Sequence, residues 1–110
     1  MKQGEIWYAD LSPVVGREQS GRRPVVITSG NMLNQNLPVV IVMPLTTKIK
    51  NYKGNPVLEP SKENGLKQQS EVLVFHVRSV SQDRLVKRVG QVTKAEVNLA
   101  LKTLNDIMTY

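Results

Sequence analysis

Short apolar runs, separated by polar and turn-forming residues, dominate the first 92 residues of the chain. They predict six β-strands, at residues 4–8, 24–29, 39–43, 57–59, 70–77 and 86–92. The second run is apolar without interruption from Pro24 to Ile27, which indicates burial on both faces. The third has the strongest β-propensity, which indicates the central strand of a sheet. The sixth alternates apolar and charged residues, as a half-exposed edge strand does.

The last eighteen residues predict a helix. Thr93 and Glu96 have the spacing of a capping box, in which each side chain satisfies the other's free backbone donor. The apolar residues that follow recur at helical spacing and form one stripe for core or dimer contact: Val97, Ala100, Leu101, Leu104, Ile107 and Met108. Residues 82–85 predict one helical turn, and residues 31–36 predict either a helical turn or a loop.

Strands outnumber helices, and most connections are too short for parallel crossovers. The pattern therefore predicts a mainly β, β-rich α+β fold: a small, strongly bent, largely antiparallel sheet with the C-terminal helix packed on it. At 110 residues, we expect one domain spanning residues 1–110.

Charge narrows the class of partner. Fifteen Lys and Arg residues against nine Asp and Glu leave a formal net charge of +6, which favours nucleic acid or an acidic protein segment, although a generic basic surface would carry the same charge. The lack of cysteine excludes disulfides and cysteine nucleophiles. One histidine and no clustered Asp, Glu and His residues predict no metal site. No apolar run approaches the length of a membrane span, so we expect a soluble, cytoplasmic protein.

A polar loop at residues 16–24 is the first candidate for chemistry, because it carries three arginines between two apolar runs. If the second and third strands are antiparallel neighbours, Arg23 lies near Thr46 at the end of the third strand. A guanidinium beside a hydroxyl forms a phosphate grip, since the fork binds two oxygens at once. The alternative is a solvated turn next to a strand-terminal threonine.

Three motifs resemble the MazF/PemK family of toxin endoribonucleases. They are Gly4-Glu5-Ile6-Trp7, then Gly16-x-Glu18-Gln19-x-Gly21-x-Arg23-Pro24-Val25-Val26, and finally Pro44-Leu45-Thr46-Thr47. The resemblance implies an SH3-like antiparallel β-barrel with a C-terminal helix. It implies that the protein forms a homodimer. It also implies sequence-specific, metal-independent and cofactor-independent cleavage of single-stranded RNA, leaving 2′,3′-cyclic phosphate and 5′-hydroxyl ends. A cognate antitoxin with a flexible acidic tail is the implied partner.

Carried over by motif position, Arg23 stabilises the phosphorane and Thr46 holds a phosphate oxygen. Glu18 either removes the 2′-proton or orients Arg23, and the neighbouring arginines favour orientation, because they keep the carboxylate ionised and weakly basic. Some members have a histidine at the position of Arg17, and an acidic residue followed by glutamine at Phe75-His76, so this chain lacks those candidate proton-transfer groups.

Further residues are candidates for RNA binding. A basic loop, defined here as residues 48–53, is expected to be mobile, with its lysines following the RNA backbone while its tyrosine stacks a base. His76, at the end of a predicted strand, is either structural or catalytic, and Arg78, on the same face by alternation, is a phosphate contact or a dimer residue. Trp7 is expected to anchor the core or a dimer. The full RNA-binding set is Arg17, Gln19, Ser20, Thr47, Lys48, Lys50, Tyr52, Lys53, Gln69, Ser70, His76 and Arg78.

Two other functions remain open on the sequence. A CcdB-like protein of the same barrel poisons a topoisomerase without catalysis and would need no Arg23 and Thr46 pair. A non-catalytic RNA- or DNA-binding barrel would show salt-dependent affinity without turnover.

Overall fold

The computed structural model describes residues 1–11 and 22–110. Within these residues it contains seven strands, two helices and two single turns of 3₁₀ helix. The strands are β1 (Glu5–Asp10), β2 (Arg22–Ile27), β3 (Val39–Thr46), β4 (Val57–Leu58), β5 (Ser70–Val72), β6 (Arg78–Ser81) and β7 (Leu85–Gln91). The helices are α1 (Asn31–Asn36) and α2 (Lys94–Thr109), and the 3₁₀ turns span Val74–His76 and Gln82–Arg84.

All strand pairs described are antiparallel, and the sheet runs in the order β4-β5-β3-β2-β1-β7. β3 also pairs with β6, so it contacts three strands and is central, as predicted. The mainly β fold with a C-terminal helix is confirmed. No helix in residues 1–11 or 22–110 is long and apolar enough to cross a membrane.

The prediction of one continuous strand at residues 70–77 was wrong. β5 pairs with the C-terminal half of β3, at Leu45 and Thr46, and β6 pairs with its N-terminal half. The two pairings differ in register by three residues, and the 3₁₀ turn Val74–His76 takes up that difference. A run of apolar residues does not reveal such an insertion, because Val74 is as buried in the turn as it would be in a strand.

Hydrophobic side chains form clusters on both faces of the central strands. Val26 and Met43 belong to the cluster that packs under α2, whereas Val25, Ile27 and Val42 belong to the cluster on the other face. The predicted two-sided burial of β2 is therefore confirmed.

The C-terminal helix begins as predicted. Thr93 Oγ1 accepts a hydrogen bond from Glu96 N at 3.1 Å, and Glu96 Oε1 accepts one from Thr93 N at 2.8 Å, which completes the capping box. Val97 and Ala100 are buried, but Ile107 and Met108 are exposed, so the predicted stripe covers the core only along the first part of the helix.

Candidate functional site

The antiparallel pairing of β2 and β3 brings Arg23 and Thr46 to the same end of the sheet. The register sets Val25 opposite Pro44 and Ile27 opposite Val42. Continued by two residues, the same register sets Arg23 opposite Thr46. Arg23 Nη2 donates a hydrogen bond to Leu45 O at 3.1 Å. The proximity predicted from strand order is therefore present.

These side chains line an open pocket of about 280 Å³. We call it the Arg23 pocket; its described lining consists of Arg23, Pro24, Leu45, Thr46, Thr47, Lys48 and Ser70. Four of the predicted RNA-binding or catalytic residues besides Arg23 thus share one cavity. Its size suits a group such as a phosphodiester rather than a large cofactor.

Arg23 is half-buried, and burial lowers the pKa of its guanidinium from the ordinary value. It remains a cation at neutral pH, because the ordinary pKa of arginine lies far above 7. The low local dielectric strengthens its attraction for an anion in the pocket. Since one of its five N–H donors is bound to Leu45 O, the plane of the fork is held by the backbone of β3.

The hydroxyl of Thr46 is oriented by the backbone that follows it. Lys48 N donates to Thr46 Oγ1 at 3.1 Å. Because the oxygen acts as acceptor in this bond, the hydroxyl proton is available to donate to a ligand oxygen. Thr46 is partly exposed, so a ligand in the pocket can reach it.

A buried carboxylate that the sequence pattern does not indicate lies beneath the basic loop. Glu71, in β5, is fully buried and is the register partner of Thr46. Its oxygens accept hydrogen bonds from Lys50 N at 2.6 Å, Asn51 N at 2.9 Å, Tyr52 N at 3.0 Å and Asn55 Nδ2 at 2.9 Å. Residues 50–52 of the basic loop, which the sequence pattern predicts to be mobile, are thus hydrogen-bonded to a distant side chain.

Burial opposes ionisation of Glu71, but the hydrogen bonds from Asn55 and from three backbone N–H groups outweigh it, so the pKa of this carboxyl lies below its usual value. Glu71 is therefore a buried anion at neutral pH. Within the local sequence, a single glutamate in a strand-like run gives no signal of this role, because its partners lie 16 to 21 residues away.

Three rings form an exposed aromatic cluster, defined as Tyr52, Phe75 and His76. Tyr52 and Phe75 stand edge to face with centroids 5.5 Å apart, and the Phe75 and His76 centroids lie 4.5 Å apart. Tyr52 and Phe75 are each half-exposed, at 50% and 49%. A half-exposed Phe beside a basic loop is a surface suited to stacking a base, and the sequence analysis did not list Phe75 as a contact.

A family model of PemK-like, MazF-like toxins of type II toxin–antitoxin systems matches residues 2–108. The chain belongs to this toxin family. It is 34% identical to endoribonuclease EndoA of Bacillus subtilis over 81% of this chain and 78% of that protein. It is 35% identical to endoribonuclease MazF of Staphylococcus saprophyticus over 92% of this chain and 88% of that protein. The crystal structure of MazE–MazF from Deinococcus radiodurans superposes with a TM-score of 0.80 at 23% identity, covering 98% of this chain and 95% of that chain.

The family identification made from the motifs is therefore confirmed, and the predicted enzyme class is the one that these relatives carry in their names. In this PemK-like, MazF-like toxin, four predicted site residues of the polar loop lie outside the described residues: Arg17, Glu18, Gln19 and Ser20. The structure describes this motif from Arg22 onward, including Arg23.

Other predicted contacts of the toxin lie further from the Arg23 pocket or are already engaged. Gln69 Nε2 donates to Glu59 Oε2, and the Ser70 hydroxyl, though in the pocket lining, donates to Gln68 O at 3.0 Å. Lys50 and Lys53 are exposed on the basic loop.

The expected common face of His76 and Arg78 was wrong. His76 lies in the 3₁₀ turn and Arg78 begins β6 opposite Val42, so strand alternation does not relate them. Trp7 is half-buried against the hydrophobic cluster that contains Val25 and Ile27. Its Nε1 donates a hydrogen bond to Glu5 Oε1 at 3.0 Å, as expected for a core anchor. Among residues 1–11 and 22–110, no group of three His, Asp or Glu side chains comes together to hold a metal.

Proposed function

We propose that this chain is an endoribonuclease that cleaves single-stranded RNA by attack of a 2′-hydroxyl on the adjacent phosphate. One observation carries the proposal: Arg23 and the Thr46 hydroxyl line the same open pocket. Membership of the PemK-like, MazF-like toxin family and the endoribonuclease names of its relatives support the reaction class.

RNA supplies its own nucleophile, so the protein has to manage charge and protons. The 2′-oxygen loses its proton and bonds to phosphorus, and the bond from phosphorus to the 5′-oxygen breaks, with a proton going to the leaving oxygen. Arg23 stabilises the negative charge that grows on the non-bridging oxygens, and the Thr46 hydroxyl donates to one of them. The products are a 2′,3′-cyclic phosphate and a 5′-hydroxyl, and the step requires no metal or cofactor.

Glu18 retains its expected role of orienting Arg23, with removal of the 2′-proton as the alternative. Lys48, the first residue of the basic loop, lines the Arg23 pocket, so the positive charge of the pocket continues into the loop, which binds the RNA backbone next to the scissile phosphate. The aromatic cluster stacks an unpaired base, which favours single strands over duplexes.

The toxin family and the net charge of +6 also support a protein partner. One similar solved structure is that of MazE–MazF from Deinococcus radiodurans. We propose that a cognate antitoxin covers the RNA-binding surface of this chain with a flexible acidic segment, which competes with RNA for the same cations, and that the toxin acts as a homodimer.

The test is incubation of the purified protein with single-stranded RNA in EDTA. We expect specific cuts whose 5′ ends accept phosphate from a kinase without prior dephosphorylation, which identifies a 5′-hydroxyl. Arg23→Ala should slow cleavage on the order of a hundredfold or more. Arg88→Ala is the matched control, because that arginine lies on β7 and pairs with Glu5.

Three outcomes would contradict the proposal in different ways. Cleavage by Arg23→Ala at the rate of the unaltered protein would exclude the proposed role of the guanidinium. Binding of RNA without cuts would identify a non-catalytic barrel. Absence of both, with inhibition of a topoisomerase, would identify a CcdB-like poison.

A further inference from the structure

Among the described residues, Glu71 is a fully buried, ionised group that the proposed reaction does not use. We propose that it is a positioning residue for RNA: its carboxylate holds the basic loop in the conformation that presents Lys50 and Tyr52 to the strand. This inference rests on the proposed function, because it assigns the loop to RNA.

The carboxylate is fully coordinated by the loop and the residues just after it. Oε1 accepts from Lys50 N and Asn51 N, and Oε2 accepts from Tyr52 N and Asn55 Nδ2. Asn51 has a positive φ of 55°, which turns consecutive N–H groups toward one point. Successive N–H groups arranged in this way form an anion-binding nest, and here the nest is filled by the protein's own carboxylate.

This arrangement decides which groups can contact RNA. The backbone donors of residues 50–52 point inward to Glu71, so they cannot bind a phosphate. The side chains of Lys50 and Tyr52 are exposed to solvent. RNA therefore meets an ammonium group and a ring rather than a phosphate-binding nest.

Two more contacts hold the same segment. Thr103 Oγ1, on α2, donates to Gly54 O at 2.6 Å. Gly54 has φ +89°, and a Cβ there would lie 2.9 Å from Thr103 Oγ1, so the chain approaches α2 as closely as it can. The ring of Tyr52 packs edge to face against Phe75, so the basic loop also contacts the turn Val74–His76.

The buried charge also offsets repulsion within the loop. Lys48, Lys50 and Lys53 are all exposed cations within six residues. A carboxylate beneath them stabilises their close spacing before RNA arrives. A loop whose backbone is already ordered loses less conformational entropy on binding, so preorganisation increases the affinity for RNA.

The sharp test is Glu71→Gln, which keeps the shape of the side chain. Two N–H donors face each oxygen of the carboxylate. In either orientation of the amide, the NH₂ group of the glutamine therefore replaces an accepting oxygen and faces two donors. The double variant Glu71→Gln with Asn55→Asp gives that NH₂ group one acceptor and restores one negative charge to the nest. Glu63→Gln is the control, since it makes the same chemical change at an exposed position.

Three measurements are made on the full chain. Steady-state cleavage of single-stranded RNA gives KM and kcat, a random-sequence 2′-O-methyl RNA that lacks the nucleophile gives Kd, and hydrogen exchange gives the protection of the amides of residues 50–52. With Glu71→Gln we expect KM and Kd to rise about tenfold, kcat to stay within about threefold, and the amides to exchange faster. Glu63→Gln should change none of these, and the double variant should recover part of the affinity.

Unchanged KM and Kd in Glu71→Gln, or a loss confined to kcat, would overturn the positioning role. If Glu71→Gln does not fold, Asn55→Ala removes a single donor to Oε2, and an unchanged Kd for that variant would overturn it equally. Failure of the proposed function is separate: the unaltered protein then does not cut RNA at all, and Kd with amide exchange still decides whether Glu71 positions the loop.

Discussion

Replacing Thr46 by valine isolates one hydroxyl proton in the Arg23 pocket. Valine keeps the β-branched shape that suits β3, and within residues 1–11 and 22–110 the Thr46 side chain gives up one hydrogen bond, from Lys48 N at 3.1 Å. Lys48 is exposed, so water can replace that acceptor. The free energy of unfolding should therefore change by no more than about 0.5 kcal/mol.

The effect on the reaction should be much larger. Loss of a preorganised donor to the transition-state oxyanion typically lowers kcat by about 10² to 10³. Because Thr46 is partly exposed, we expect a value near the lower end, about a hundredfold, with little change in KM. Thr46→Ser keeps the hydroxyl and should retain most of the activity.

Single-turnover cleavage of RNA in EDTA measures the chemical step, and thermal unfolding confirms that the variants are folded. A Thr46→Val rate within about twofold of the unaltered protein would refute the assignment, because a hundredfold loss is the expectation for such a donor. Equal impairment of the serine and valine variants would show that the methyl group, rather than the hydroxyl, is what matters.

Three further predictions concern the basic loop and the aromatic cluster. Phe75→Ala should weaken binding of single-stranded RNA by about 1 kcal/mol or more, whereas Phe75→Tyr should retain the affinity; titration with 2′-O-methyl RNA measures both. The stabilisation contributed by Glu71 should be fully present above pH 4.5, its ordinary pKa, and be lost as the pH falls through the lower pKa of the folded state. The difference in unfolding free energy between the unaltered protein and Glu71→Gln, followed against pH, measures that loss, and a difference that grows on acidification would contradict it. Gly54→Ala should lower the unfolding temperature and weaken RNA binding, since the added Cβ meets Thr103 at a position with positive φ; unchanged values would contradict the close approach.

The parts of the fold that depend on local pattern were predictable. The capping box at Thr93 depends on residues three positions apart, and the burial of β2 on both faces follows from an unbroken apolar run. The proximity of Arg23 and Thr46 also followed, because antiparallel neighbours bring the start of one strand to the end of the next.

The parts that depend on register and distant contacts were not predictable in this way. The three-residue insertion at Val74–His76 is invisible in an apolar run, since it changes which side chains emerge and leaves the hydrophobicity of the segment unchanged. In the sequence, Glu71 is indistinguishable from an ordinary polar residue of a strand, because its partners in the basic loop are distant along the chain. The insertion follows from the pairing of β5 and β6 with different halves of β3, and the role of Glu71 follows from contacts 16 to 21 residues away.

In the proposed mechanism, the groups for bond cleavage and those for RNA selection lie on different elements. The C-terminal end of β3 provides Thr46 and anchors Arg23, and both depend on the β2 and β3 ladder. Phe75 emerges from the 3₁₀ turn, and Tyr52 from a loop fixed by Glu71, so neither belongs to that ladder. Substitutions in the turn can therefore change which bases bind without displacing the groups around the scissile phosphate, and we expect them to alter KM and cut-site preference more than kcat on the preferred sequence.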